Sequence, residues 1–188
     1  IELMDRCQVR GSVSLNVALC DHHPEIIEAC VERDWEFFAH GIYNTQYCYG
    51  MDEAQERAII EDAMETVEKH TGQHIAGWLA PALTHTEWTM DLLAEYGIKY
   101  TCDLFCDDQP QPLKVKKNRL ISIPYSLEMN DVILHVAHLV TPRHYGEMLK
   151  ANFDQLYEEG ALSGTVMCIP LHPFLIGQPH WIEPFTEA

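Results

Sequence analysis

The sequence predicts an α/β domain built from parallel βα units, and three observations predict it. Short apolar runs alternate with longer helical stretches along the chain, the spacing of strands joined by crossover helices. The runs also end in residues with chemistry to offer: 35–39 stops at His40, 75–80 at Pro81, 99–104 contains Asp103, and 165–170 is followed by His172. Polar residues at C-terminal strand ends are where βα barrels place active sites. The pattern therefore favours a barrel over an open sheet and predicts that these residues face one pocket. No glycine-rich phosphate loop of Rossmann or Walker type occurs, which excludes the commonest nucleotide-binding alternatives.

Each element has its own warrant. Residues 12–19 alternate Val13, Leu15, Val17 and Leu19 against small or polar neighbours, the period of a strand. His23-Pro24 opens a helix with Ile27, Cys30 and Val31 on one face. Residues 35–39 form the next strand, and after a polar loop Asp52 with Gln55 starts a helix in the manner of a capping box. Ile60, Ala63, Met64 and Val67 recur at helical spacing there until Gly72. Residues 75–80 read as a strand, and Thr84 with Glu87 as the cap of a helix carrying Trp88, Leu92, Leu93 and Tyr96. A strand at 99–104, a long loop over 106–118, a strand at 120–123 and an extended segment at 132–138 follow. Thr141-Pro142 begins the last full helix, with Tyr145, Leu149, Phe153 and Leu156 inward, and 165–170 is the final strand.

Composition narrows the class. With 188 residues, 47% of them hydrophobic, the chain can bury a core and is expected to be one domain, 1–188. The opening residues read as the last turns of a helix and the closing ones as a helix just starting, so we expect a fragment truncated at both ends. A net charge of −17 argues against nucleic acid and anionic membrane surfaces as partners. No run is long enough to span a bilayer. Seven cysteines, scattered and without a Cys-x-x-Cys pair, suit reduced core residues and a cytoplasmic location.

At these strand ends the sequence resembles the polysaccharide deacetylase superfamily, carbohydrate esterase family 4, and within it the allantoinase-like branch. The segments that carry the resemblance are 39–44, 51–57, Trp78 to Pro81, 103–110, 123–131 and 171–179. The resemblance itself extends over essentially the whole chain. The resemblance implies a distorted (β/α) barrel of seven or eight parallel strands, here incomplete. It also implies hydrolysis of a non-peptide carbon–nitrogen bond, in an N-acetylated sugar or a cyclic amide. A divalent metal such as zinc would be held in the deacetylases by one aspartate and two histidines four residues apart. Here the second histidine is replaced by Asn44, Leu79 stands at the family's arginine, and the early Thr-Phe-Asp-Asp motif is absent. Asparagine is a poor substitute for imidazole on zinc, so His40 and Asn44 are a weak metal pair and no cofactor is assured.

The resemblance assigns roles by position. His172 matches the catalytic acid, suited by an imidazole that titrates near neutrality. Asp103 would orient or charge a histidine, and His40 would hold metal or donate to substrate. Trp78, Asp107, Asp108, Gln109, Tyr125, Glu128 and Asn130 are the candidate substrate contacts. Each has an ordinary alternative: a core histidine, a loop cap, a solvated acidic pair, turn residues, or tryptophan packing. The implied partner is a small-molecule or oligosaccharide substrate, with a homo-oligomer as a further expectation. A catalytically inactive relative that binds a carbohydrate or small ligand, and a purely structural subunit, remain as alternative functions.

Overall fold

The apolar runs become strands only where neighbouring backbone is present to pair with them, so most are shorter than the runs that encode them. The computed structural model describes residues 1–188, which divide into two units: Ile1–Asp103 with Pro112–Ser122, and Leu104–Gln111 with Ile123–Ala188.

The first unit begins with helix α1 (Glu2–Cys7), strand β1 (Ser12–Leu15), helices α2 (Leu19–His22) and α3 (Pro24–Val31), and strand β2 (Glu36–Ala39). The alternation over 12–19 does not continue as strand past Leu15. At Asn16 the chain turns, and the Leu19 amide donates to the Asn16 carbonyl at 2.9 Å. On α3, Ile27 and Cys30 are buried but Val31 faces solvent. Helix α4 (Glu53–Thr71) follows the expectation closely. The Asp52 side chain accepts from the Gln55 amide, Gln55 reciprocates, and Gly72 caps the other end with φ 71°. Its buried face is Ile59, Ile60, Ala63 and Val67, with Glu56 on the same side.

Strand β3 (Gly77–Trp78), a 3-10 turn (Pro81–Leu83), helix α5 (Thr89–Glu95), and strands β4 (Tyr100–Thr101), β5 (Gln111–Leu113) and β6 (Leu120–Ser122) complete the sheet. The expected cap by Thr84 and Glu87 is not formed. Thr84 is buried, its hydroxyl donates to the Pro81 carbonyl and accepts from the Cys48 amide, and the helix starts only at Thr89. The sheet order is β1-β2-β3-β4-β6-β5, parallel in each pairing from β1 to β6. The fold is thus the expected α/β class. Six strands are present, in an order that does not close on itself, as the expected incomplete barrel requires. The core lies between the sheet and its helices and contains Leu15, Phe37, Ala39, Ile60, Trp78 and Leu93.

In the second unit residues 132–138 are not extended. They form a π-helical turn (Ile133–Ala137), because the Asn130 side-chain oxygen Oδ1 accepts from the Val132 and Ile133 amides and starts the backbone coiling. Helix α6 (Pro142–Glu159) is capped by Thr141 as expected, with Tyr145 and Leu149 inward but Phe153 exposed. Residues 165–170 join no ladder. Within this unit the Val166 amide donates to Asp108 and the Asp131 amide to the Pro170 carbonyl, single bonds that do not propagate. Short helix α7 (Pro173–Ile176) and helix α8 (Pro179–Glu187) close the chain. α8 lies against α6 at Gly146, where an added Cβ would sit 3.0 Å from the Pro184 carbonyl oxygen. Tyr145, Trp181, Leu149 and Leu175 form this unit's own core.

Candidate functional site

In the first unit the chemistry gathers where β1, β2 and β3 end. The His40 amide extends the ladder by donating to the Leu15 carbonyl at 2.8 Å, and the chain then turns away at Gly41. Gly41 has φ 65°, and a Cβ there would lie 3.2 Å from the Pro81 ring, so the turn requires glycine. The His40 ring is pinned by its Nδ1, 2.6 Å from the Leu79 carbonyl oxygen, and its Nε2 lies 3.1 Å from Oδ1 of Asn44. A carbonyl can only accept, so Nδ1 carries the hydrogen and Nε2 of the neutral ring is the acceptor. The Asn44 side chain meets that nitrogen either as an amide donor after a half-turn, or with its oxygen when a proton or cation lies between them. Asn16 supports the same corner by donating its side-chain amide to the His40 carbonyl.

These residues can be tested for metal. His40 and Asn44 supply two donor atoms, four residues apart on one loop, and no cluster of three or more His, Cys, Asp or Glu side chains in this chain is placed to hold an ion. Catalytic zinc sites use three protein ligands. The donor set here does not fit such a site by itself, and no chemical step is routed through a metal.

Asp103 follows β4 and is 2% exposed. Its Oδ1 accepts from the Ala80 amide at 2.6 Å and its Oδ2 from the Thr101 hydroxyl at 3.1 Å. Burial pushes its carboxyl up to about 6, although the Ala80 amide and the Thr101 hydroxyl both favour the charged form. Trp78, expected to touch substrate, is 1% exposed within the core. Its indole is packing material for the sheet and offers no platform to a ligand.

In the second unit His172 stands just before α7, whose first residue is Pro173. It is held by Asp131, the last residue of the 123–131 segment and not among the expected site residues. Asp131 is fully buried, and its Oδ2 accepts from the His172 backbone amide at 2.8 Å while Oδ1 accepts from the ring Nδ1 at 2.6 Å. Oδ1 also accepts from the Val132 amide at 2.8 Å. The His172 ring remains 40% exposed, and its Nε2 makes no hydrogen bond to the protein. A signal for Asp131 was present: a carboxylate set directly against the apolar run 132–134 must be buried with a partner or excluded from the core.

The other expected contacts divide. Asp107, Asp108 and Gln109 are exposed; Asp107 takes the Asp108 amide and the Gln111 side chain, as a turn would. Glu128 is exposed and accepts from the Ser126 hydroxyl. Asn130 is buried and spends its oxygen on the π-helical turn and its amide on the Tyr125 hydroxyl at 3.0 Å. Asn130 is therefore a structural cap, whereas Tyr125 remains half-buried at the surface.

Residues 1–101 match the model of the family described as polysaccharide deacetylase. Among solved structures the chain is similar to Puue allantoinase, with 30% identity and a TM-score of 0.87 over 99% of this chain and 62% of that one. A Pseudomonas aeruginosa PAO1 protein assigned as a polysaccharide deacetylase matches with 30% identity and a TM-score of 0.86, again over 99% and 62%. A Mycobacterium smegmatis protein with the same assignment matches with 27% identity and a TM-score of 0.87 over 99% and 66%. The chain therefore spans 62% to 66% of the length of these structures. No curated protein matches it. No helix is long and apolar enough to cross a membrane.

Proposed function

This chain belongs to the polysaccharide deacetylase family, and from that premise we propose that the protein hydrolyses a non-peptide carbon–nitrogen bond, with both units parts of one catalytic domain. The observation that carries the reading is the Asp131–His172 pair. Cleaving an unactivated amide needs a proton delivered to the departing nitrogen. The buried carboxylate holds Nδ1 as a donor, so the exposed Nε2 is the atom that gives and takes that proton. When the ring is protonated, its positive charge lies beside the Asp131 carboxylate, and the hydrogen bond that fixes orientation is kept through the cycle.

The substrate is a small polar amide, and the similarity to an allantoinase favours a cyclic one over an N-acetylated sugar. Tyr125, Glu128 and the 107–109 turn supply the polar surface of the second unit. His40, with its acceptor nitrogen facing Asn44, would bind substrate or share a divalent ion with ligands from elsewhere. Seven cysteines that form no disulfide, four of them buried, suit a reducing compartment, and we place the protein in the cytoplasm on that ground.

The test is turnover by the full-length protein of a panel containing cyclic amides and N-acetylglucosamine oligomers, read as ring-opened product or free acetate. Turnover of a cyclic amide that disappears in His172→Ala supports the reading. Ligand binding with no turnover of any amide would replace it with the inactive binding relative, which Asn44 in place of a second imidazole favours.

A further inference from the structure

Asp103 and His40 are both bonded to the same peptide unit. The Leu79 carbonyl accepts from His40 Nδ1 at 2.6 Å, and the amide of Ala80, the other half of that unit, donates to Asp103 Oδ1 at 2.6 Å. We propose that Asp103 is a positioning residue for His40, acting through the single peptide that joins Leu79 to Ala80. The inference deepens the role given to His40 above and rests on that reading only for its catalytic meaning.

The location of this peptide explains why side chains rather than strands take its polar groups. It lies one step past the ladder, because the Leu79 amide still donates to the Ala39 carbonyl and the Cys102 amide to the Trp78 carbonyl, both at 2.9 Å. Evenly spaced parallel bonding would next bring the Gly41 amide to the Leu79 carbonyl and the Cys102 carbonyl to the Ala80 amide. Gly41 has instead turned aside at φ 65°, and the His40 ring replaces its donor. On the other side the Asp103 carboxylate replaces the backbone acceptor.

The consequence is electronic as well as geometric. A peptide whose N–H donates to a carboxylate is polarised, so its carbonyl becomes a stronger acceptor. That strengthens the bond from His40 Nδ1–H, fixes the tautomer and keeps Nε2 as the basic nitrogen turned toward Asn44. Burial of Asp103 at 2% exposure makes this effect strong, since no solvent screens it.

The experiment is nitrogen NMR of the full chain labelled with ¹⁵N-histidine, at a pH about 1.5 units above the ordinary histidine value. The His40 signals are assigned by their loss in His40→Gln. The expected parent spectrum shows Nδ1 protonated and Nε2 not. In Asp103→Asn the acceptor stays but the charge goes, so the Nδ1–H proton signal should move upfield as its hydrogen bond weakens. In Asp103→Ala the peptide is released and the Nε2–H tautomer should appear. A parent ring protonated at Nε2, or folded variants with ring signals identical to the parent, would overturn the proposal. Should Asp103→Ala fail to fold, Asp103→Asn decides alone: an upfield shift supports the coupling and an unmoved signal removes it. A merely structural Asp103 would lower the melting temperature without moving the ring signals. No substrate enters the measurement, so its outcome is separate from that of the amidase reading.

Discussion

Two histidines, one in each unit, are each held through Nδ1, and the difference between their holders separates two ways of building a site. His172 is gripped by a carboxylate on both its ring and its own backbone amide. His40 is gripped by a carbonyl, with the nearest carboxylate one peptide further away. A carboxylate placed directly on the ring holds Nδ1 through a charge-assisted hydrogen bond. A carbonyl fixes the tautomer and orientation through a neutral one. Under the proposed function, proton delivery would fall to His172 and an acceptor nitrogen would be kept at His40.

The most severe way to break that assignment is His172→Ala. In the intact enzyme with an identified amide substrate it should lower kcat by about 10² to 10⁴, with a melting temperature near that of the parent because the ring is 40% exposed. Normal turnover per folded molecule would transfer the acid role elsewhere. Asp131→Asn comes next. Its amide would turn a donor toward Nδ1 or surrender the backbone bond, so the ring would favour the wrong tautomer. A loss in kcat of about 10²-fold or more is expected, with KM little changed. Equal changes in kcat and folded fraction would instead make Asp131 a support for the loop alone.

How much of this was legible in the sequence follows from the range of each interaction. The capping box of Asp52 and Gln55 spans three residues and could be read directly, and so could His40 at the end of β2. The Asp131–His172 pair spans 41 residues, and nothing local marks either side as belonging to the other. The β-branched Val132 and Ile133 suggest a strand, but strand formation needs a neighbouring ladder and here the Asn130 side chain offers a helical start instead. Trp78 illustrates a different limit. Residue type alone does not tell a substrate platform from a core filler, and only the pairing of Gly77–Trp78 between its neighbours settled its burial.

Asp103 sharpens the comparison through pH. Its carboxyl is raised from 3.8 to about 6 by burial, so the folded state binds a proton more tightly than the unfolded chain. Stability from this group is therefore fully present below pH 3.8 and is lost as pH rises through about 6. The cost at neutral pH is at most about 3 kcal/mol, taking about 1.4 kcal/mol for each pH unit. Denaturant titrations of the parent and of Asp103→Asn, subtracted at each pH, should show the parent losing ground between about pH 4 and pH 6 and a level difference above. A flat difference across that window would mean that Asp103 titrates normally, and that its two hydrogen bonds offset its burial.

The smallest effect should come from Thr101→Val, which alters neither carboxylate nor ring. The Thr101 hydroxyl donates to Asp103 Oδ2 at 3.1 Å and accepts from the Asp103 amide at 3.2 Å, and the residue is fully buried. Valine keeps its shape but leaves one carboxylate oxygen and one amide without that partner, a loss of about 1 to 3 kcal/mol. It also removes a donor that favours the charged carboxylate, so the proton-linked fall in stability should extend to higher pH than in the parent. Oδ1 still holds the Ala80 amide, so the His40 ring signals should move less than in Asp103→Asn. If Thr101→Val instead shifts those signals as far as Asp103→Asn does, His40 depends on the whole buried hydrogen-bond cluster rather than on the one peptide. The contrast with the single direct carboxylate grip on His172 would then be wider still.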